Sequence, residues 1–248
     1  MPNGQPGMEK TQEEKLKESD LHGVDQHILE LVKKQVGPGG IEFILKYVAD
    51  LAGDKTVLID TSSRFNILKQ KRSDYREILN LSYVNEIRWI NKFFLAVNLK
   101  MNVGSVFVGR AETITERKRR AYKKSFRPLT DIYYFLDFLF HRVSPKVRGF
   151  KKIYFFVTKG RRRVLSRAEI LGRLCSCGFE IIEETEIDNT LYFAMRKKEE
   201  GNPTTDPSYG PVFRMNRIGK DGKIIGVYKM RTMHPYSEYL QEYIYKMN

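Results

Sequence analysis

The sequence predicts an α/β protein: a doubly wound, mostly parallel sheet closed by an antiparallel hairpin, followed by a short basic β-hairpin and a C-terminal helix. Three observations carry this prediction. From Thr56 to Arg196, compact apolar runs alternate with stretches whose apolar residues recur at helical spacing, the pattern of strands covered by crossover helices. Two strand-like runs, Phe179 to Ile187 and Thr190 to Arg196, then meet around Asp188-Asn189, a hairpin signal. Further on, Lys220-Asp221-Gly222 separates two short runs, and Asp-Gly favours a tight turn at positive φ.

Each element has its own signal. Residues 1–22 are polar and charged with little to bury, and read as a disordered lead. Val24 to Val36 carries Ile28, Leu29, Leu31 and Val32 as a short helix that stops at Gly37-Pro38-Gly39. A second helix places Ile41, Ile44, Leu45, Val48, Leu51 and Ala52 on one face and ends at Gly53. Thr56 to Ile59 is a strand leading into Asp60-Thr61-Ser62-Ser63, and Glu77 to Leu81 is strand-like. Asn85 to Asn98 is helical through Ile87, Ile90, Phe94 and Val97, and Gly104 to Gly109 reads as a buried strand. Thr130 is placed to cap a helix from Asp131 to Arg142 that is apolar nearly all round and so is expected to be buried on several sides. Lys152 to Thr158 (KIYFFVT) reads as another strand. Ser166-Arg-Ala-Glu169 is a capping box opening a helix with Ile170, Leu171, Leu174 and Cys175 on its apolar face and Gly178 at its end. The domain reading is a lead (1–22), an α/β domain (23–198), a Pro- and Gly-bearing linker (199–211) and a final segment (212–248). In that segment Val212 to Ile218 and Lys223 to Lys229 form the basic hairpin and Tyr236 to Met247 an amphipathic helix.

Composition bounds the function. The 248 residues carry a net charge of +14, which implies an anionic partner: nucleic acid, acidic lipid headgroups or a phosphorylated substrate. Much of the charge sits in Arg117-Lys118-Arg119-Arg120 with Lys123 and Lys124, and in Arg161-Arg162-Arg163. Apart from Tyr122 neither cluster is interleaved with stacking aromatics, which weighs against single-stranded nucleic acid. No apolar run of about 18 residues occurs, so no simple spanning helix is expected. The amino terminus has no apolar core of a secretory signal, and Cys175 and Cys177 are too close for an easy disulfide. A cytoplasmic setting, at most against the inner face of the cytoplasmic membrane, is the expectation. His22, His27, His141, the two cysteines, Ser62 and Ser63 lack the spacing of a metal site or a nucleophile with its base, so no catalytic or metal-binding residue is assigned.

The most specific segment is 210–233, GPVFRMNRIGKDGKIIGVYKMRTM. Gly210-Pro211, Arg217-Ile-Gly219, Gly222-Lys223 and Tyr228-Lys-x-Arg231-Thr232-Met233 occur together and in order. They resemble the opening of the catalytic region of bacterial sugar transferases, the polyprenyl-phosphate phosphoglycosyl transferases of exopolysaccharide and capsule biosynthesis. The resemblance implies a nucleotide sugar and a polyprenyl phosphate as partners, a possible anionic membrane surface, and Mg²⁺ in the complete enzyme. It makes Arg217, Lys223, Lys229, Arg231 and Thr232 the residues that would meet phosphate, nucleotide sugar or the membrane surface. The family's catalytic Asp-Glu pair stands later, in a Leu-Asp-Glu-Leu-Pro context that does not occur here, and Glu238 and Glu242 have no claim to its role. The expectation is therefore an amino-terminal part of a longer transferase, or a shortened relative, without independent activity and with no cofactor in this chain.

Residues 76–197 are similar in pattern to the later half of a class I S-adenosylmethionine-dependent methyltransferase, most characteristically in CGFEIIEE followed by LYFAMRK. That family's cofactor needs a glycine-rich turn after the first strand, whereas TVLID runs here into TSSRF. A degenerate fold kept as a scaffold is the favoured reading. An active methyltransferase is the alternative, and a nucleic-acid-binding module resting on charge alone is the third.

Overall fold

A computed structural model describes residues 12–48, 50–123, 127–146, 148–202, 212–230 and 232–247. Its centre is a five-stranded sheet of β1 (Thr56–Ile59), β2 (Tyr75–Tyr83), β3 (Met101–Ala111), β4 (Phe179–Ile187) and β5 (Thr190–Lys197), in the order β1-β2-β3-β5-β4. The β1–β2 and β2–β3 pairs are parallel, and β5 runs antiparallel to both β3 and β4. The expected α/β class, the closing hairpin, the separate two-stranded hairpin and the C-terminal helix are all present. Asp188 and Asn189, at φ 49° and 57°, make the β4–β5 turn. Short polar side chains tolerate that left-handed region.

Alternation along the strands sends side chains to two cores. Ile78 and Phe107 enter one, with Ile67 of α2 (Arg64–Leu68) in the same core and α3 (Ile90–Leu99) and α7 (Arg167–Ser176) packed over them. Leu79, Leu81 and Val108 enter the other, under α1 (Gln12–Tyr47). The helix α1 is two helical segments meeting at Gly37, whose φ is 77°, next to Pro38. The next two glycines are there for packing. A Cβ on Gly40 would sit 2.5 Å from the Tyr192 hydroxyl, and one on Gly39 would sit 2.7 Å from Ile187.

Three expectations are corrected. The polar lead is helical from Gln12 onward, while residues 1–11 lie outside the described residues. Lys152 to Thr158 is not a strand but part of α6 (Arg148–Thr158). Its β-branched and aromatic residues suit a sheet surface, yet among the described residues they pair with no strand, and strand propensity yields to such context. The helix expected at Asp131 starts earlier, as α5 (Arg127–Phe138) with Pro128 in its first turn, and continues as a π-turn through Val143. Thr130 is buried inside α5 and does not cap it. Nor is this helix buried on several sides. Leu129, Ile132, Tyr133, Phe135 and Leu136 are all exposed. A helix missed in the sequence, α4 (Ile114–Tyr122), opens on a full capping box in which Thr113 and Glu116 satisfy each other's backbone N–H.

Candidate functional site

The final segment folds as β6 (Val212–Ile218) and β7 (Ile224–Met230), paired antiparallel from Val212 opposite Met230 to Ile218 opposite Ile224. The turn is the expected one, with Asp221 at φ 59° and Gly222 at φ 72°, closed by Lys223 N–H donating to the Lys220 carbonyl at 3.4 Å. Period-two alternation sorts the charges. Arg217, opposite Ile225, and Lys229, opposite Phe213, share one face. They stand four residues apart along the ladder, about 13 Å at strand rise. Arg214 is on the other face, where Gly226 makes room for it; a Cβ there would sit 2.0 Å from Arg214 Nε. Lys220 and Lys223 flank the turn, and Thr232 is exposed beyond β7. Arg231 and Gly210-Pro211 lie outside the described residues. Of the candidate site residues, the structure therefore brings Arg217 and Lys229 to one face, puts Lys223 at the tip and leaves Thr232 beyond the end of the ladder. The charges form a stripe around the hairpin and no single cradle.

Beyond the hairpin the chain is held firmly. Tyr236 is wholly buried at φ 67°, with the Arg173 guanidinium 4.5 Å over its ring and its hydroxyl accepting from Asn91 Nδ2 at 2.6 Å. Leu240 joins the core over α7, and Glu242 at the start of α8 (Gln241–Met247) accepts from Lys198 Nζ at 3.0 Å. Hydrogen bonds from Lys246 first and Lys198 second hold the Glu242 carboxyl down at about 2. Gly172 permits the approach of the main chain, since a Cβ there would stand 2.2 Å from the Tyr236 carbonyl oxygen.

The basic clusters prove unequal. Arg117 is turned inward, its guanidinium donating to Asp137 at 2.5 and 2.7 Å, and Arg120 pairs with Glu112 at 2.8 Å. Arg163 donates to the carbonyls of Ile87 and Arg88. A buried triad was missed in the sequence: Arg142 Nη1 meets Glu169 at 2.5 Å, and Arg173 Nη2 meets the other Glu169 oxygen at 3.0 Å. Its one sequence signal is Glu169 itself, the far end of a capping box. Ser166 does accept from Glu169 N–H at 3.2 Å, but the carboxylate serves the two arginines.

The crevice at the carboxyl ends of β1 and β2, where such sheets bind nucleotides, is occupied by the protein's own groups. Asp60 accepts from Gln35 Nε2 at 2.8 Å and from Ser82 Oγ, while Asn80 bridges both main-chain groups of Thr61. Arg110 donates to the carbonyls of Leu81 at 2.6 Å and Gln35 at 3.1 Å and lies 4.5 Å from the Tyr83 ring centre. The hollow between Val36, Asn80, Arg110 and Tyr192 opens to solvent and has no interior room even for a water molecule, so it is no ligand pocket.

Burial pushes the thiol of Cys175 up to about 12 and that of Cys177 to about 11, so neither is a thiolate nucleophile at neutral pH. Among the described residues no group of three or more His, Cys, Asp or Glu could hold a metal ion. The hairpin itself does not suit Mg²⁺, because its one carboxylate, Asp221, stands between Lys220 and Lys223. No helix among the described residues is long and apolar enough to cross a membrane. No protein-family model and no curated protein matches this chain.

Proposed function

We propose that this chain serves phosphoglycosyl transfer to a polyprenyl phosphate, as a scaffold that presents a phosphate-binding hairpin and does not itself carry the catalytic pair. The observation that carries the reading is one of coincidence. The residues that resemble the sugar transferases in order, from Arg217-Ile-Gly219 through Gly222-Lys223 to Tyr228-Lys229, fold as one hairpin with Arg217 and Lys229 on a common face. Guanidinium and ammonium groups spaced along one face of a short ladder can each meet a phosphate oxygen. The Tyr236 anchor gives the hairpin a fixed root on α7, which is what a presented binding element requires. The filled crevice at Asp60 and Arg110 favours a scaffold role for the sheet over S-adenosylmethionine binding.

Calorimetric titration with uridine diphosphate and a panel of its sugars tests the reading. Binding is expected, with a loss of about tenfold (~1.4 kcal/mol) in an Arg217→Glu, Lys229→Glu double variant. Absence of binding to every member of the panel would sink the proposal. Equal affinity of the double variant would move the site elsewhere on the molecule. S-adenosylmethionine is expected to give no heat, and heat from it would restore the methyltransferase alternative.

A further inference from the structure

The segment between β3 and α7 sets charge and apolar surface side by side. Residues 117–163 hold sixteen Lys and Arg against two Asp, a local charge of +14, equal to the net charge of the whole chain. The rest of the molecule is balanced. Both acids are engaged within the protein, Asp137 by Arg117 and Asp131 by the Tyr122 hydroxyl.

Two helices of this segment, α5 and α6, are inside out. On α5, Leu129, Ile132, Tyr133 and Leu136 recur at three- and four-residue steps and form an exposed stripe, Ile132 at 61%. The covered side carries Thr130, buried, and Asp137, turned onto Arg117. On α6, Tyr154 is the inward residue, its hydroxyl donating to the Arg161 carbonyl at 3.1 Å, while Phe150, Ile153, Phe156 and Val157 face out. Phe156 is 86% exposed. The helices meet where Phe140 and Tyr154 pack edge to face at 5.4 Å, and Arg142 locks the junction to Glu169. At 12 and 11 residues they rise about 18 and 17 Å, too short for a hydrocarbon core of ~30 Å.

We propose that α5 and α6 dock the protein on an anionic lipid surface, their outward apolar stripes entering the headgroup boundary and the surrounding lysines and arginines meeting the lipid phosphates. Lys118, Lys123, Arg127, Lys152, Lys159 and Arg161 are exposed around the stripes. Amphipathic helices with aromatic and aliphatic outer faces and basic flanks bind the interface in this way. Charge complementarity selects the occupant. A second copy would bring another +14 against this one, whereas an anionic bilayer neutralises it. Nucleic acid would satisfy the charge but leave the Leu and Ile of the stripes in water. The inference uses none of the hairpin residues and stands or falls apart from the transferase reading.

Sedimentation of the full chain with extruded vesicles decides the matter. Phosphatidylcholine with about a third phosphatidylglycerol is expected to bind at least about tenfold more tightly than phosphatidylcholine alone, at about 0.1 M salt. An Ile132→Glu, Phe156→Glu double variant, altered only at exposed positions, is expected to keep the parent thermal midpoint and lose about tenfold in vesicle binding. Equal binding to neutral and anionic vesicles, or an unchanged double variant, would overturn the proposal. So would light scattering that shows a dimer broken by the two substitutions. So, too, would a short RNA held more tightly than the vesicles and indifferent to the substitutions.

Discussion

Glu169 carries an electrostatic burden out of proportion to its size. Its carboxylate is the common partner of Arg142 and Arg173, and all three residues are buried. Breaking a buried ion pair on one side strands the remaining charges. Glu169→Gln is accordingly expected to cost about 3–5 kcal/mol in urea denaturation. A loss below about 1 kcal/mol would mean that water reaches the triad. Gly172 makes a second residue-scale prediction. Gly172→Ala forces a methyl group against the Tyr236 carbonyl, an overpacking worth about 1–3 kcal/mol, and should free the C-terminal anchor. Limited proteolysis after residue 230 is expected to quicken, with circular dichroism of the sheet retained. His141 supplies the pH prediction. Its side chain is held below the ordinary 6.5 first by burial and then by the Arg117 charge, with the Asp137 carboxylate at 3.8 Å pulling the other way. Below 6.5 the unfolded chain binds a proton that the folded chain refuses. The contribution is thus intact above that value and falls away as the pH drops toward the lowered native one. His141→Gln should flatten the stability profile between about pH 7 and 5, and a parallel profile would refute the assignment.

At the scale of elements, the β6–β7 hairpin and the α5–α6 pair teach opposite lessons. The hairpin is legible because its turn chemistry is local: Asp221 and Gly222 both need positive φ, and Asp-Gly supplies it within two residues. Gly222→Ala should cost the hairpin about 1 kcal/mol and move its amide shifts toward random coil. If the shifts of β6 and β7 stay put, the ladder is held by something besides its turn. The segment KIYFFVT misleads because strand propensity records fit to a pleated, half-buried surface, and this chain offers none there. Its helical spacing through Phe150, Ile153, Tyr154 and Val157 is the better guide. The apolar face of α5 suggests burial and finds none, since periodicity reports which residues lie together and not which side they turn to. The capping residues Thr113 and Glu116 are within reach of the same reasoning that identifies Ser166 and Glu169.

For the whole molecule, charge and anchoring define two parts fastened to one sheet domain. The +14 of residues 117–163 sits on an insert fastened by Arg142, while the hairpin segment is fastened by Tyr236 beneath Arg173. Both fastenings converge on Glu169 of α7. The α/β class, the closing β4–β5 hairpin and the Asp-Gly turn were determined by the sequence alone, because each depends on period and turn chemistry between residues near in the chain. The segment 210–233 likewise declared its resemblance without help from the fold. Only the tertiary structure decided that Arg117 and Arg163 are internal struts, that the crevice at Asp60 is filled, and that the stripes of α5 and α6 face outward. Those outcomes rest on contacts between residues tens of positions apart, such as Arg142 with Glu169 and Gln35 with Asp60. Which side of a helix is covered, and which charge finds a partner, is settled by what packs against it.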